Sequence, residues 1–461
     1  MYKKLSCFFF FIILTITFSY AKAPTTLSLQ EAILLAIRTN PSVQQSHLND
    51  VLQKFNLWIQ EWQFYPHYAF QATATSEQSY SAQPSVSLLT PIGTQLTVTS
   101  TNTQNGGHFT PQLSLEILQP LMRGFGKAIV ESALENARDS EIISRLAIEG
   151  TLRTTVTAVI NAYLDMVMAE KNIIIDEKAL TRAQDSVVQT KLFIQAGHKA
   201  GNELVTVQAN VATAQTQLEN DKNNLTQARY ALLTAIGVDP NADIIFSPLD
   251  LDNLIKKYHL TTLENAKKLI LENDIQYQTD QITLNGSTSR SLLLAEDNTR
   301  WQLNFTTNVA TGNDSVSNLF NSENQSQSVG LTLQIPIDDQ IAKQAVLSAK
   351  IALKEARIAL TQEKWAKETN AINGWHTAMS ADRALQFAED AEKLQERTYQ
   401  ISYQKYLHGL IDSLELQSAQ VQLIQAQQIL LNAQIGYIKS LVNMDLLIGN
   451  TLRTWDIGVR Q

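Results

Sequence analysis

Hydrophobic positions recur every seven residues in two separate stretches of the chain. In both, a second set of mostly small residues falls three positions after the first. The larger positions are Leu204, Val211, Leu218, Leu225 and Leu232 in one stretch and Leu416, Leu423, Leu430 and Tyr437 in the other. The smaller positions are Val207, Ala214, Asp221, Ala228 and Ala235, and Ala419, Ala426, Ala433 and Ser440. This heptad spacing predicts coiled-coil seams between closely packed helices.

An unusually long run without proline precedes each heptad stretch. Residues 127–195 contain one glycine, Gly150, and residues 341–407 also contain one, Gly374. At about 1.5 Å per residue, a run of this length makes a helix on the order of 100 Å long. Glutamine and serine surround the seams, so we expect a wetted face with little charge, such as a water-filled tube of helices would present.

Strand patterns lie between the helical runs. Apolar residues alternate with polar ones in three rows: Trp301, Leu303, Phe305 and Val309; Leu113, Leu115 and Ile117; and Val329, Leu331, Leu333 and Ile335. A period of two with one apolar face is typical of half-buried strands. The first half carries an extra segment, residues 85–100, which we interpret as a hairpin.

The chain repeats itself. Residues 197–218 align with 409–430 at an offset of 212 without gaps, which places Gly197 on Gly409 and Glu203 on Glu415. "LSLEILQPL" (113–121) aligns with "VGLTLQIPI" (329–337) at an offset of 216. We therefore predict a tandem duplication: a first repeat at 22–237, a linker at 238–260, a second repeat at 261–449 and a tail at 450–461.

The amino terminus has the pattern of a secretory signal. Lys3 and Lys4 precede a short apolar run, and small residues follow at "SYA" (19–21) or "AKA" (21–23). The apolar run is too short to span a membrane, so we predict a signal peptide at 1–21 and an exported protein. The only cysteine, Cys7, lies inside this segment. The net charge of −8, without a basic run, argues against nucleic-acid binding.

Four of these stretches carry a resemblance. "LSLQEAILLAIRTNPSV" (27–43), "LSLEILQPL", "LTLQIPI" (331–337) and "YLHGLIDSLELQSAQ" (406–420) resemble the opening helix, the strand-to-helix corners and the hairpin tip of the TolC-like outer-membrane efflux protein family. The similarity extends over nearly the whole mature chain.

The resemblance implies a mainly α fold with membrane β. Long antiparallel coiled-coil helices would form a periplasmic α-barrel, and four strands per chain would contribute to a trimeric, twelve-stranded outer-membrane β-barrel. It also implies a homotrimer in outer-membrane lipid that docks with a periplasmic adaptor protein and an inner-membrane transporter. The function would be passive conduction in an efflux or type I secretion system.

The resemblance also assigns candidate site residues at the hairpin tips. Six positions after the tip glycines Gly197 and Gly409, Glu203 and Glu415 match an acidic periplasmic aperture that sets selectivity. Both could instead be solvated carboxylates that favour a helix start.

Tyr406 matches an aromatic gate position, although an aromatic residue can also simply pack a hairpin tip. Ile411 stands where the family's gate has a basic residue, and Lys199 holds the equivalent place in the first half. Because Lys199 precedes Glu203 by four residues, we expect these two gate candidates to pair.

Other function classes find less support in the sequence. A soluble periplasmic coiled-coil adaptor or tether would share the long helices and the signal, but it has no use for alternating strands. The histidines are scattered and no catalytic or metal-binding motif is present. We therefore expect no enzyme activity, no metal and no cofactor, and the transported substrate cannot be read from the sequence.

Overall fold

The computed structural model of the protein describes residues 26–76, 79–258, 260–312 and 325–458. The predicted signal peptide and Cys7 lie outside these ranges.

Two long helical hairpins dominate the architecture, as predicted. The first half contains α1 (Leu29–Thr39), α2 (Pro41–Trp62), α3 (Lys127–Val130), α4 (Ser132–Gln195) and α5 (Glu203–Ile236). The predicted linker contains α6 (Leu251–Lys257). The second half contains α7 (Leu263–Asn273), α8 (Ile275–Thr283), a π-helical turn (Leu284–Thr288), α9 (Ser289–Asn298), α10 (Gln340–Leu407) and α11 (Ser413–Leu447), and the tail contains α12 (Thr451–Thr454). α4 packs against α5 and α10 against α11, so each repeat builds one hairpin.

The helix boundaries follow local capping chemistry. Ser28 and Glu31 form a reciprocal capping box at the start of α1. Asn40 ends α1 and caps α2, whose first residue, Pro41, lacks a backbone N–H that would otherwise be left unpaired. These two helices therefore begin and end where the sequence supplies the required groups.

A single antiparallel sheet joins the two repeats. Its strands are β1 (His67–Ala74), β2 (Ser79–Leu89), β3 (Gln95–Asn105), β4 (His108–Pro120), β5 (Gln302–Gly312) and β6 (Gln325–Gln334). They are hydrogen-bonded in sequence order, and the β4–β5 pairing connects the halves.

The sheet has two strands more than the resemblance implies. The predicted hairpin is present. β2 and β3 are connected by residues 90–94, where the Thr90 N–H donates a hydrogen bond to the Thr94 carbonyl and Gly93 adopts a φ of +96°. Its strands extend beyond 85–100 in both directions. The extra length lets the first half supply four strands to the same sheet, against two from the second half.

The heptad seams are confirmed near the hairpin tips. Leu416 and Leu423 are buried on α11, and Val207 and Leu218 are buried on α5. Farther from the tips, burial on α11 moves to Leu431, Ile435, Ile438 and Leu441. The shift occurs because α11 there also joins the main core, which includes residues of α1, α4 and α5.

The main core lies well away from the tips, where α1, α4, α5 and α11 meet. Tyr163 is fully buried in it and donates a 2.6 Å hydrogen bond to the backbone carbonyl of Ser247. Among the described helices, none combines the length and the apolarity that a membrane span requires.

Candidate functional site

The two hairpin tips have the same backbone design. Gly197 and Gly409 follow the ends of α4 and α10 with φ values of +73° and +70°. In each case the next backbone N–H bonds to a carbonyl five residues earlier: His198 to Phe193 at 2.8 Å and Leu410 to Lys405 at 2.9 Å. This is the Schellman arrangement, which satisfies the last carbonyls of the helix and turns the chain sharply. Gly197 and Gly409, which align in the repeat, therefore end their helices and turn the chain in the same way.

Lys199 and Glu203 form the expected pair. The Lys199 ammonium lies 2.9 Å from a carboxylate oxygen of Glu203, and the lysine side chain is only 9% exposed. Ser413, at the start of α11, donates a 3.0 Å hydrogen bond to the same oxygen. Glu203 thus connects the tip of the first hairpin to the tip of the second.

Tyr406 lies inside the packed tip of the chain and is fully buried. Its hydroxyl is 2.8 Å from the hydroxyl of Thr190 on α4, which itself donates to the Ser186 carbonyl. The Phe193 ring meets the Tyr406 ring edge-on, and the Lys199 ammonium lies 4.2 Å from the Tyr406 ring centroid. The structure therefore places Tyr406 as a link between the hairpins within one chain, the packing alternative raised by the sequence.

Glu415 has a different environment from Glu203 despite the matched sequence positions. It is exposed in the third position of α11, where its backbone N–H bonds to the helix cap Asp412 at 2.8 Å. No ion pair involves Glu415 within the described ranges. Lys199, Glu203 and Tyr406 are thus brought together, while Glu415 stays apart from them on an exposed surface.

Three tip residues were missed by the sequence interpretation: Thr190, Phe193 and Ser413. A signal for two of them exists, because the buried residues of α4 follow alternating steps of three and four. This series runs through Asp176, Ala179, Ala183, Ser186 and Thr190, and its next step is Phe193. Ser413 is the first residue of α11, and no motif marked it.

Polar side chains line a groove of about 360 Å³ between the two hairpins. Gln417 donates a 2.7 Å hydrogen bond to Asn210, and Gln420 donates a 3.3 Å hydrogen bond to the hydroxyl of Ser186. The uncharged polar residues around the seams therefore serve in part to connect the hairpins to each other.

A carboxyl pair is buried between α4 and α5. Asp176 and Asp221 are 3% and 6% exposed, and the Asp221 carboxylate accepts hydrogen bonds from Gln217 and Asn224. Burial, together with the adjacent Asp221 carboxyl group, raises the pKa of Asp176 to about 7. The raised pKa keeps the proton on Asp176 over much of the pH range in which free carboxyl groups have lost theirs.

The arrangement at the tips is suited to mechanical locking, not to bond chemistry. The hydrogen bond from Ser413 to Glu203, the Lys199 ammonium over the Tyr406 ring and the buried hydroxyl pair Thr190–Tyr406 all join the first hairpin to the second, while the ion pair Lys199–Glu203 lies within the first tip. No cluster of His, Cys, Asp or Glu able to hold a metal ion occurs in the described parts of the chain. The fold is thus a pair of long helical hairpins continuous with one antiparallel sheet.

The sequence comparison gives the family. The model of the outer membrane efflux protein family matches residues 35–238 and 298–450. The protein belongs to this family and is an outer-membrane efflux protein, not an enzyme. No curated protein matches the chain.

Solved structures share the fold at low sequence identity. The outer-membrane protein VceC of Vibrio cholerae has a TM-score of 0.70 and 13% identity, covering 94% of this chain and 97% of VceC. The open-state outer-membrane channel MtrE of Neisseria gonorrhoeae has a TM-score of 0.69 and 17% identity, covering 91% and 88%. The Campylobacter jejuni outer-membrane channel CmeC has a TM-score of 0.65 and 15% identity, covering 92% and 86%.

Proposed function

We propose that this protein is the outer-membrane duct of a tripartite efflux or type I secretion system. It acts as a homotrimer and conducts substrates passively, with the energy supplied by an inner-membrane transporter. The observation that carries this proposal is that, in one chain of the efflux family, a sheet and two long helical hairpins are directly connected. A sheet with one apolar face leads directly into helical hairpins on the order of 100 Å long.

The two edges of the sheet, with the helices next to them, favour assembly with further copies of the chain. α2 leads into the edge strand β1, and α10 follows the opposite edge strand β6. Both helices expose apolar stripes: Leu48, Val51, Leu52, Phe55, Trp58 and Trp62 on α2, and Ile341, Leu347, Ile351, Ile358 and Trp365 on α10. Because the stripes lie on opposite edges, one copy can pack its α10 stripe on the α2 stripe of the next, which closes a ring.

The ring orientation follows from the surfaces. The sheet would lie in outer-membrane lipid, and the hairpins would extend into the periplasm with their tips farthest from the membrane. The tips expose Leu410, Leu414 and Val205 at 72%, 64% and 67%. Exposed apolar residues around an opening suit a protein partner, and we assign this surface to the periplasmic adaptor.

The tip contacts would regulate the opening. In a trimer, Glu203 and Glu415 contribute six carboxylates near one axis. Because each Glu203 is paired with Lys199, the unpaired carboxylates of Glu415 would supply most of the negative charge that favours cations over anions. Lys199 and Tyr406 would hold the first and second hairpins together in the closed state, and separating the hairpins would break both contacts. Lys199 thereby takes the basic role that Ile411 cannot fill.

Single-channel conductance in planar bilayers tests the proposal. The detergent-purified protein should give small cation-selective openings, and Glu203→Ala/Glu415→Ala should reduce the cation selectivity severalfold, because it removes the carboxylates at the opening. Glu219→Ala is the matched control, since Glu219 is an exposed carboxylate on α5, away from the tip.

The possible results test the duct and the acidic aperture separately. Openings with unchanged selectivity in the double variant would keep the duct and reject the acidic aperture. A protein that gives no openings and stays in solution without detergent would instead be a soluble periplasmic adaptor or tether.

A further inference from the structure

All six strands of the sheet belong to one uninterrupted hydrogen-bonded array. Each strand pairs with its sequence neighbours along most of its length, and strand lengths range from 8 residues in β1 to 13 in β4. Strands of about 9–11 residues suffice to cross a bilayer when tilted. β2 to β6 reach this length, and β1, with 8 residues, is one residue short of it; all eight residues of β1 are paired with β2.

The register gives the sheet one mainly apolar face, on which the polar exceptions are Ser100, Asn102, Gln104, Gln119, Thr307, Thr311, Gln325 and Gln327. Paired residues lie on the same side of a sheet, so the pairings Tyr68↔Val86 and Val86↔Val98 extend a single apolar surface from β1 to β3. The apolar face contains Tyr68, Phe70, Ala72 and Ala74; Tyr80, Ala82, Pro84, Val86 and Leu88; Leu96 and Val98; Phe109, Pro111, Leu113, Leu115 and Ile117; Leu303, Phe305 and Val309; and Val329, Leu331 and Leu333.

The opposite face is polar in the same strands. It is formed mostly by Ser, Thr, Gln and Asn, and Glu116 is the single Asp, Glu, Lys or Arg within the six described strands. An apolar side toward lipid and a polar side toward water is the pattern of a membrane barrel wall. β1 and β2 show it as clearly as β4, so a role outside the wall would leave their apolar residues in water.

The two edge strands lack the usual protection against pairing. Exposed sheet edges normally carry charges or prolines that block the addition of another strand. β1 (HYAFQATA) and β6 (QSQSVGLTLQ) have no Lys, Arg, Asp, Glu or Pro. They run in opposite directions, as antiparallel pairing between neighbouring copies requires, because β1 leaves the helical body and β6 returns to it.

We infer that each chain places six strands in the membrane, so that three copies close an eighteen-stranded barrel. The partner at each edge is a second copy of this chain, with β6 of one copy paired to β1 of the next. This inference rests on the trimeric duct proposed above and departs from the twelve strands that the family resemblance implies.

The strand number sets the size of the exit. Barrel diameter grows about linearly with strand number, so eighteen strands give a wall about one and a half times as wide as twelve. Barrels of about 16–18 strands leave an open aqueous channel. The helical tips, not the outer-membrane exit, then limit the cargo that the duct can pass.

Cysteine cross-linking distinguishes the two barrel sizes, because no cysteine follows Cys7 in the sequence. Val329→Cys on β6 is combined with Phe70→Cys or Ala72→Cys on β1, and, as matched variants, with Val98→Cys or Ser100→Cys on β3. All five positions lie on the apolar face. The protein is extracted from membranes, cross-linked and separated by denaturing electrophoresis.

In an eighteen-stranded barrel, the β6–β1 variants should give species of two and three times the chain mass, and the β6–β3 variants should not. Cross-linking of the β6–β3 pairs alone would overturn the inference, since it would place β1 and β2 outside the wall. Electron microscopy of the unmodified protein in nanodiscs gives the independent check: threefold symmetry with twelve strands would overturn the strand number alone. Twofold symmetry, or a protein that needs no detergent, would overturn the trimeric duct as well.

Discussion

The carboxyl pair Asp176–Asp221 makes the first hairpin sensitive to pH. The pKa of Asp176 is about 7 in the folded chain, compared with 3.8 for a free aspartate, because burial and the adjacent carboxyl group both disfavour its charge. A pKa raised by folding means that the folded state binds the proton more tightly than the unfolded state does. The stability that this proton provides is complete at low pH and is lost as the pH rises through about 7.

Asp221→Asn should weaken this dependence, because it removes the contribution of the adjacent carboxyl group and leaves that of burial. The amide lacks the negative charge and can donate a hydrogen bond to Asp176, while its oxygen can still accept from Gln217 or Asn224. We expect thermal unfolding monitored by circular dichroism to show a midpoint several degrees higher at pH 8 and nearly unchanged at pH 5.

Glu219→Gln is the control on the same helix, because the Glu219 side chain is 71% exposed. It should leave the pH profile as it is. An Asp221→Asn profile with the original slope between pH 5 and pH 8 would show that the Asp221 carboxyl group does not contribute to the raised pKa of Asp176.

At the scale of elements, the tip glycines control the hairpin turns. Gly409 has a φ of +70° and no atom within 4 Å of the position a Cβ would take, so backbone strain is the only obstacle to a larger residue. A left-handed conformation costs a residue with a Cβ about 1–2 kcal/mol. Gly409→Ala should therefore lower the unfolding free energy of the protein by about 1 kcal/mol.

Gly201→Ala is the matched control, since Gly201 lies in the other tip, has no atom within 4 Å of the position of an added Cβ and has no positive φ. Denaturant unfolding of both variants should show a loss for Gly409→Ala only. Equal losses would mean that any added methyl group at a tip is harmful, whatever its backbone angles.

The long helices and most strands were largely predictable, because the sequence shows their hydrophobic periods and the proline-free runs between turns. Long proline-free runs predicted α4 and α10, and alternating rows predicted β4, β5 and β6. The tip was less predictable, because its contacts join residues more than 200 positions apart, such as Thr190 with Tyr406 and Glu203 with Ser413. Pattern alone aligned Glu203 with Glu415, but only packing shows that one is paired and the other exposed.

The whole molecule leaves large apolar surfaces on two opposite edges. On α2, Phe55, Trp58 and Trp62 stack in sequence with ring centroids 5.4 and 6.3 Å apart, yet Trp58 remains 52% exposed. A single copy in water gains little from such a stripe, whereas burial against α10 of a neighbour would remove it from solvent. In the proposed trimer, the stripe would therefore stabilise the assembly and contribute little to the stability of one chain.

Trp58→Glu tests this assignment at the scale of the assembly. The new carboxylate would be buried without a partner at the interface between copies, while the fold of one chain would change little because Trp58 is exposed within it. We expect mass photometry in detergent to show a shift from trimers to single chains, with an unchanged helical circular dichroism spectrum. Asn49→Glu, an exposed change on another face of the same helix, should leave the trimers intact. Trimers that persist in Trp58→Glu would move the contact between copies away from the α2 stripe, whereas dissociation in both variants would indicate a general effect of added charge on α2.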